Sequence, residues 1–409
     1  MIGFVGPFGD SNYGDYAMFV NDVYSLHQQR ITVFSYNSCL LDSLEKDYLK
    51  QYSIDKCIVE VGYQYEEKLT DKYYVEYDLR AYTPYEILEF ITNIDDVRHH
   101  MKRIQTLVVC GGGYLNHIWN ANHRKNRLFA ILGTILIARE QKKQICFMGN
   151  TYGPFCESAN LYSAFFSTLG NTVLAARDEV FSKSELRKLG YTGEIKTIPD
   201  DLYFLNDKLM DTGERIVPYP YILFECYASI DEINNHIEDI RRFVSEMKLR
   251  YGMSVLFCPL DKKYGGEYQG EIIKRSISDM IYKPICGPYL RVEYINNLVR
   301  YANLVVSQRY HLFLTALSLN TPCVQALKET QGDFRYYYSK SKGLLQQVFA
   351  NQVYEDRLFL SKSIWNALVD IEENFPDIQK KQKALFNDYK KESEDKMKQL
   401  RDQYLIGIE

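Results

Sequence analysis

Short apolar runs alternate with longer amphipathic stretches through the first half of the chain. Runs rich in Val, Ile and aromatic residues predict β-strands, and stretches with apolar residues three and four positions apart predict helices. Strands that alternate with helices pair into parallel sheets, so this half of the chain predicts an α/β domain. The predicted strands span residues 2–5, 31–36, 57–61, 106–110, 144–149 and 172–177.

Two helices between these strands have distinct signals in the sequence. Thr83 is expected to cap a helix in which Pro84 takes the first position and Glu86 completes a capping box. Residues 128–141 are apolar on almost every side, which predicts a helix packed on the sheet.

The alternation stops at residues 206–220, which are polar and contain proline, and we interpret this stretch as a linker. A second α/β alternation follows, with helices predicted over residues 230–250 and 291–301. The chain from residue 361 onward is rich in charge and lacks a strand signal, which predicts long helices. The strands of the second alternation are predicted at residues 221–225, 254–258, 303–307 and 322–326.

The predicted fold class is therefore α/β, with two Rossmann-like domains whose parallel sheets face a cleft, and with long C-terminal helices. We expect the first domain at residues 1–208, the second at 218–350, and a helical tail at 355–409 that packs back on the first domain. Ligands of open α/β sheets bind beyond the carboxyl ends of the strands. Residues that carry chemistry are therefore expected in the loops that follow strands.

Composition restricts the class of ligand and the compartment. The formal net charge of −4 over 409 residues argues against nucleic acid as the main ligand, because the chain has no general basic field. The nine cysteines form no CxxC pair and no zinc-type spacing, so we expect no metal site and a reducing compartment. Met1 leads directly into a strand pattern, and the longest apolar run is shorter than the ~18 residues of a membrane span, so we expect a cytoplasmic protein.

The loop after the first strand, GPFGDSNYGDYA, is rich in glycine and enters a helix. Such a turn exposes backbone N–H groups at the positive end of the helix, where a phosphate or carboxylate can bind. Asn12, Gly14 and Asp15 are the candidate site residues of this loop. The alternative is a tight turn in which Asp15 caps the helix.

Three consecutive glycines, Gly111, Gly112 and Gly113, follow the strand at residues 106–110. Each glycine costs about 0.5–1 kcal/mol relative to alanine in regular structure. A run of three therefore indicates that a ligand or another part of the backbone approaches closely. We predict that these glycines bind substrate.

Arg177 and Asp178 lie where the strand at residues 172–177 meets the next helix. Arg177 is a candidate ligand for an anionic substrate, and its alternative role is an ion pair with a neighbouring carboxylate. Asp178 suits the positive end of the helix dipole. Asp178 is also a candidate for catalysis.

Arg309 and His311 stand between an apolar strand and an apolar helix, where cations are costly unless an anion meets them. The guanidinium fork of Arg309 suits a carboxylate or a phosphate. The imidazole of His311 can give or take a proton near neutral pH. A substrate site that includes Tyr310 is therefore favoured over a salt bridge that only fixes the start of the helix.

Six motifs of these loops occur in a fixed order. They are NYGDYA (12–17), GGGYL (111–115), NTYGP (150–154), ARDEVFSKSELRKLG (176–190), the region of Asp200, and SQRYHLFLTALSLNTPCVQA (307–326). In this order they resemble the polysaccharide pyruvyl transferase family, whose Arg-x-His signature matches Arg309 and His311. The chain departs from the family pattern at Tyr310, where the family usually has leucine, and at Asn320-Thr321-Pro322, where a turn with glycine is commoner.

The resemblance implies a fold like that of GT-B glycosyltransferases and a role in bacterial polysaccharide biosynthesis, in capsule or exopolysaccharide assembly. It implies phosphoenolpyruvate as co-substrate, no further cofactor, and a glycan or lipid-linked oligosaccharide acceptor on which a pyruvate ketal bridges two hydroxyls. His311 is then the candidate proton donor, and Asp15 or Asp178 orients it or activates the sugar hydroxyl. Arg309, Arg177 and the glycine loops are expected to bind the donor.

Two alternatives remain on the sequence alone. One is a nucleotide-sugar glycosyltransferase of the same fold, and the other is a non-catalytic glycan-binding assembly protein. Peripheral contact with a membrane that carries the acceptor also stays open.

Overall fold

The computed structural model describes two compact units. The described residues are 1–27, 29–64, 82–210, 213–262, 266–329, 334–349 and 355–408. The first unit comprises Met1–Asp10, Gly14–Asp201 and Gln399–Glu409, and the second comprises Ser11–Tyr13 and Leu202–Lys398.

The first unit contains two parallel sheets. A five-stranded sheet has the order β3-β2-β1-β4-β6, and a four-stranded sheet has the order β5-β7-β8-β9. The central strands β1 and β4 are buried along their whole length, as expected for parallel strands covered on both faces. The strands are β1 Ile2–Val5, β2 Arg30–Ser35, β3 Asp55–Glu60, β4 Thr106–Val109, β5 Gly112–Leu115, β6 Gln144–Phe147, β7 Asn150–Tyr152, β8 Leu174–Ala176 and β9 Ile195–Thr197.

Helices fill the connections of the first unit. The longest of them, α5, is buried over most of its length and belongs to the main core, which confirms the prediction for residues 128–141. The predicted capping box at Thr83 is also confirmed, with Glu86 as the reciprocal partner. The helices are α1 Tyr13–Ser25, α2 Cys39–Leu44, α3 Pro84–Glu89, α4 Ile94–Lys102, α5 Asn122–Glu140, α6 Ala159–Leu169 and α7 Phe181–Lys188.

The second unit is built on one parallel sheet of order β12-β11-β10-β13-β14-β15. Its strands are β10 Tyr221–Phe224, β11 Ser254–Phe257, β12 Ile281–Tyr282, β13 Leu304–Ser307, β14 Cys323–Ala326 and β15 Leu360–Ser361. The helices that follow along the chain are α8 Ile230–Asn235, α9 Ile237–Tyr251, α10 Glu267–Ser276, α11 Val292–Arg300, α12 Tyr310–Ser318, α13 Arg335–Val348, α14 Ile364–Leu385 and α15 Lys391–Ile406.

Two of the differences between the structure and the predicted elements concern helices. The helix predicted over residues 230–250 breaks at His236, whose imidazole stacks on Trp365 at 4.2 Å and contacts Asp239 at 2.8 Å. Of the tail expected on the first domain, α14 groups with the second unit, because its apolar face joins the core of that unit, whereas Gln399–Glu409 groups with the first unit. In the part of the chain that the structure describes, no helix is both long and apolar enough to span a membrane.

Candidate functional site

The junction between β13 and α12 is organised around the carboxylate of Glu225. This side chain is fully buried at the end of β10. Its Oε2 accepts hydrogen bonds from the backbone N–H groups of Gln308 and Arg309, both at 2.9 Å, and from the Ser307 hydroxyl at 2.8 Å. Burial raises the pKa of the Glu225 carboxyl, whereas these hydrogen bonds and the charge of Arg309 lower it. The carboxylate thus determines the backbone course of the loop.

The guanidinium of Arg309 lies among three polar groups of the second unit. Nη1 donates to Oδ1 of Asn12 at 2.9 Å, Nη2 lies 3.8 Å from Oδ2 of Asp261, and Nε lies 3.8 Å from Oε1 of Glu225. The guanidinium carbon is also 4.5 Å from the ring centroid of Tyr227. Arg309 therefore has neighbouring carboxylates, as the salt-bridge alternative expected, yet 18% of its side chain stays accessible.

A second cation, Lys328, shares the ring of Tyr227 with Arg309. Its ammonium nitrogen lies 3.9 Å from the ring centroid and donates to the Tyr227 carbonyl at 3.2 Å. Burial lowers the pKa of Lys328, and the nearby charge of Arg309 lowers it further. Arg309 follows β13 and Lys328 follows β14, so two cations contact one ring beyond the carboxyl ends of these strands. Such a pair is suited to a multiply charged anion.

His311 is the second residue of α12 and is partly exposed. Its carbonyl accepts a hydrogen bond from the Thr315 hydroxyl at 2.8 Å, and its ring lies 5.3 Å from the ring of Tyr310, edge to face. Tyr310 is buried, and the ammonium of the buried Lys340 lies 5.0 Å from its ring centroid. The helix therefore places His311 two residues from Arg309 on a firmly packed turn.

The predicted first loop is divided between the two units. Asn12 belongs to the second unit, where the hydrogen bond to Arg309 joins two sequence-predicted site residues. The neighbouring Ser11 hydroxyl donates to Asp261 Oδ1 at 3.0 Å. Gly14 and Asp15 group with the first unit, in the first turn of α1, where an acidic residue suits the helix dipole.

The glycine triplet lies in the first unit, at the start of β5. Gly112 and Gly113 are strand residues, and Gly111 precedes them. A Cβ atom on Gly111 would lie 2.2 Å from Oδ2 of Asp201 and 2.8 Å from the carbonyl oxygen of Gly149. The glycine triplet predicted that a ligand or another part of the backbone approaches closely. At Gly111 the neighbouring groups are Asp201 and the backbone of Gly149.

A buried acidic pair lies behind Gly111. Asp22 and Asp201 are almost completely inaccessible to solvent. Burial, together with the charge of Asp200, raises the pKa of Asp201 to about 7. Burial, followed by the charge of Asp201, raises the pKa of Asp22 well above its usual value. The positive charge of Arg401 acts on both carboxyls in the opposite direction.

Arg177 and Asp178 are both buried in the first unit. The guanidinium of Arg177 pairs with Asp200 and donates to the Thr151 hydroxyl at 2.7 Å, which is the ion-pair arrangement of the alternative interpretation. The carboxylate of Asp178 accepts from the backbone N–H of Ser182 at 2.8 Å and from its hydroxyl. The contacts of Asp178 with Ser182 hold the start of α7. Both Arg177 and Asp178 thus have polar partners within the protein.

Four residues at the Arg309 site were missed by sequence reasoning. Each lies at or just after a strand of the second unit, so position was the available signal. A charged or aromatic residue directly after a buried apolar run was visible in YILFECY, VLFCPLD and PCVQALK. These residues are Glu225, Tyr227, Asp261 and Lys328.

Two sequence comparisons with known proteins were informative about the family. The family profile described as polysaccharide pyruvyl transferase matches residues 12–327, a range that includes Asn12, Glu225, Tyr227, Asp261 and Arg309. No curated protein sequence matches the chain.

Solved structures share the fold at low sequence identity. A putative UDP-N-acetylglucosamine 2-epimerase from Listeria monocytogenes is 10% identical with a TM-score of 0.58, over 95% of this chain and 90% of that one. The UDP-GlcNAc 2-epimerase from Neisseria meningitidis is 13% identical, with a TM-score of 0.54 and 93% of both chains covered. A glycosyltransferase from Rickettsia africae is 11% identical with a TM-score of 0.53, over 98% and 97% of the chains. These likenesses confirm the GT-B-like α/β fold class.

Proposed function

The chain belongs to the polysaccharide pyruvyl transferase family, and from that premise we propose that it transfers the pyruvyl group of phosphoenolpyruvate to a glycan. The product is a pyruvate ketal that bridges two hydroxyls of one sugar. The acceptor is a cell-surface polysaccharide or its lipid-linked precursor, as in capsule or exopolysaccharide biosynthesis.

The observation that carries this proposal is the contact of two cations, Arg309 at the start of α12 and Lys328 after β14, with the ring of Tyr227. Phosphoenolpyruvate bears a phosphate and a carboxylate, so its site needs more than one cationic group. Arg309 and Lys328 provide two such groups over one tyrosine ring. In the structure the Arg309 guanidinium contacts Asn12 and lies near Asp261. When the donor binds, its anionic oxygens take the place of Asp261 beside the guanidinium.

His311, in its protonated form, gives its proton to the methylene carbon of the donor, which becomes a methyl group. The first sugar hydroxyl adds to the adjacent carbon, the bond to phosphate breaks, and the second hydroxyl adds to the resulting oxocarbenium ion. Of the two protons that the hydroxyls lose, one returns to His311 and the other leaves with the phosphate. The charges of Arg309 and Lys328 stabilise the departing phosphate.

Asp261 is our candidate to carry the hydroxyl proton that leaves with the phosphate, since its carboxylate lies 3.8 Å from Nη2 of Arg309, one of the two cations proposed to hold that phosphate. Asp178 is less suited because Ser182 occupies both of its oxygens. Asp15 remains the second candidate from the sequence.

Phosphate release from phosphoenolpyruvate in the presence of glycolipid acceptors tests this function. We expect His311→Ala to lower turnover by about 100-fold or more, because general acid catalysis contributes 10²–10⁴-fold. His236→Ala is the matched control, since His236 stacks on Trp365 and is expected to leave turnover unchanged. Full turnover by a folded His311→Ala protein would remove the role given to this residue.

A nucleotide-sugar transferase is the second candidate, because structures of the same fold include an epimerase bound to UDP-GlcNAc. In that case Arg309 and Lys328 would hold a diphosphate. Thermal stabilisation by UDP but not by phosphoenolpyruvate favours this alternative. Glycan binding that neither donor affects favours a non-catalytic glycan-binding protein.

A further inference from the structure

The ring of Tyr227 holds two cations at the Arg309 site. Arg309 and Lys328 approach its centroid to 4.5 Å and 3.9 Å, and both side chains belong to the second unit. We infer that Tyr227 is a positioning residue, whose ring keeps these two cations together so that they grip one phosphate dianion. This inference rests on the proposed function and adds a residue to its donor site.

Bringing two like charges together is unfavourable without a compensating group. Two unit charges 4 Å apart interact by about 1 kcal/mol in water and more in a partly buried site. The negative face of an aromatic ring attracts each cation, and the attraction is strongest where water is excluded. Lys328 is mostly buried, and the charge of Arg309 acts unfavourably on its ammonium.

The backbone of Tyr227 is held independently of its ring. The Tyr227 N–H donates to the side chain of Gln308 at 2.7 Å, and its carbonyl accepts from Lys328 at 3.2 Å. Glu225, two residues earlier, holds the backbone of Arg309 at 2.9 Å. A change of the ring alone therefore leaves the loop attached through its main chain, which makes the ring a separable part of the site.

The two cations suit a phosphate monoester better than a single carboxylate. A phosphate dianion offers three oxygens and two negative charges, which matches one guanidinium and one ammonium. A carboxylate has one charge and is already supplied internally by Asp261, 3.8 Å from the guanidinium. The ring contact is thus expected to matter for the phosphate end of the donor.

Calorimetric titration with phosphoenolpyruvate and with inorganic phosphate tests the inference on the full chain. The variants are Tyr227→Leu, which removes the ring, and Tyr227→Phe, which keeps the ring without the hydroxyl. Tyr268→Leu is the matched control, because Tyr268 is an exposed tyrosine of the same unit. We expect Tyr227→Leu to weaken both ligands about tenfold, which corresponds to ~1.4 kcal/mol, and Tyr227→Phe to restore most of the affinity.

A fluorinated series separates positioning from packing if Tyr227→Leu fails to fold. Stepwise fluorination of a phenylalanine at position 227 weakens the negative face of the ring with little change in its size. We expect the KM for phosphoenolpyruvate to rise with each fluorine while kcat changes little. A purely structural ring predicts the same KM across the series, and that result overturns the inference.

The outcomes also separate this inference from the proposed function. Wild-type binding of phosphoenolpyruvate with no loss in Tyr227→Leu overturns only the role of the ring. Wild-type binding of inorganic phosphate but not phosphoenolpyruvate, with a loss in Tyr227→Leu, supports the ring and overturns the proposed donor. Wild-type binding of neither ligand overturns both.

Discussion

Replacing Glu225 by glutamine tests whether a buried carboxylate supports the Arg309 loop. Oε2 accepts three hydrogen bonds at 2.8–2.9 Å, and Oε1 lies 3.8 Å from Nε of Arg309. A hydrogen bond to a charged group contributes about 1.5–3 kcal/mol, against roughly 0.5–1.5 kcal/mol for a neutral pair. Removing the charge therefore costs about 3 kcal/mol over three bonds.

Part of this cost is offset, because the neutral amide avoids the desolvation that raises the pKa of the Glu225 carboxyl. We expect Glu225→Gln to lower the free energy of unfolding by about 2 kcal/mol and to weaken phosphoenolpyruvate binding. Urea denaturation at pH 7.5 measures the first effect, and calorimetric titration measures the second. Glu238→Gln is the control, since Glu238 is exposed and its partner Arg241 belongs to the same helix.

A double-mutant cycle that combines Glu225→Gln with Arg309→Met measures the interaction energy between these two side chains. Because Glu225 and Arg309 contact each other, their effects on unfolding are expected to be non-additive by about 1 kcal/mol or more. Additive effects, or a Glu225→Gln protein with wild-type stability and wild-type donor affinity, would refute the role assigned to this carboxylate.

Two further predictions concern the first unit. Gly111→Ala is expected to lower the free energy of unfolding in urea by at least 1–3 kcal/mol, because its Cβ would lie 2.2 Å from Asp201 and 2.8 Å from the Gly149 carbonyl. Gly407→Ala is the control: its Cβ would meet its nearest atom at 3.4 Å, so the variant is expected to unfold as the wild type does. The second prediction concerns Asp201, whose pKa burial raises to about 7. Between about pH 4 and pH 7 the folded chain therefore keeps a proton on this carboxyl that the unfolded chain releases. The free energy of unfolding is expected to fall as the pH rises through this interval. Asp201→Asn should therefore stabilise the protein at pH 8 by up to about 4 kcal/mol and little at pH 4, and equal effects at the two pH values in thermal unfolding would contradict this.

The parts of the fold that follow from local pattern were predictable. Buried apolar runs identified the central strands, and Thr83, Pro84 and Glu86 identified a helix start. Of the small second sheet of the first unit only β8 was predicted, within residues 172–177, because the other strands are short and β5 includes Gly112 and Gly113. Periodicity is too brief to detect over three or four residues.

The candidate site was predictable as a set of residues and not as a set of contacts. Asn12 and Arg309 were both singled out, yet their hydrogen bond joins positions 297 residues apart, a pairing that no local signal contains. Lys328 and Tyr227 come together only because β10 and β14 flank β13 in the sheet. For Asp178 a local signal was enough: its position at the start of a helix predicted a role there, and its carboxylate accepts a hydrogen bond from the backbone N–H of Ser182.

The most direct measurement of the central claim is a crystal structure of the protein with bound phosphoenolpyruvate. We predict phosphate oxygens within about 3 Å of the Arg309 guanidinium and the Lys328 ammonium, with the His311 imidazole facing the methylene carbon. Donor density located elsewhere, with Arg309 still held by Asn12 and Asp261, would contradict it.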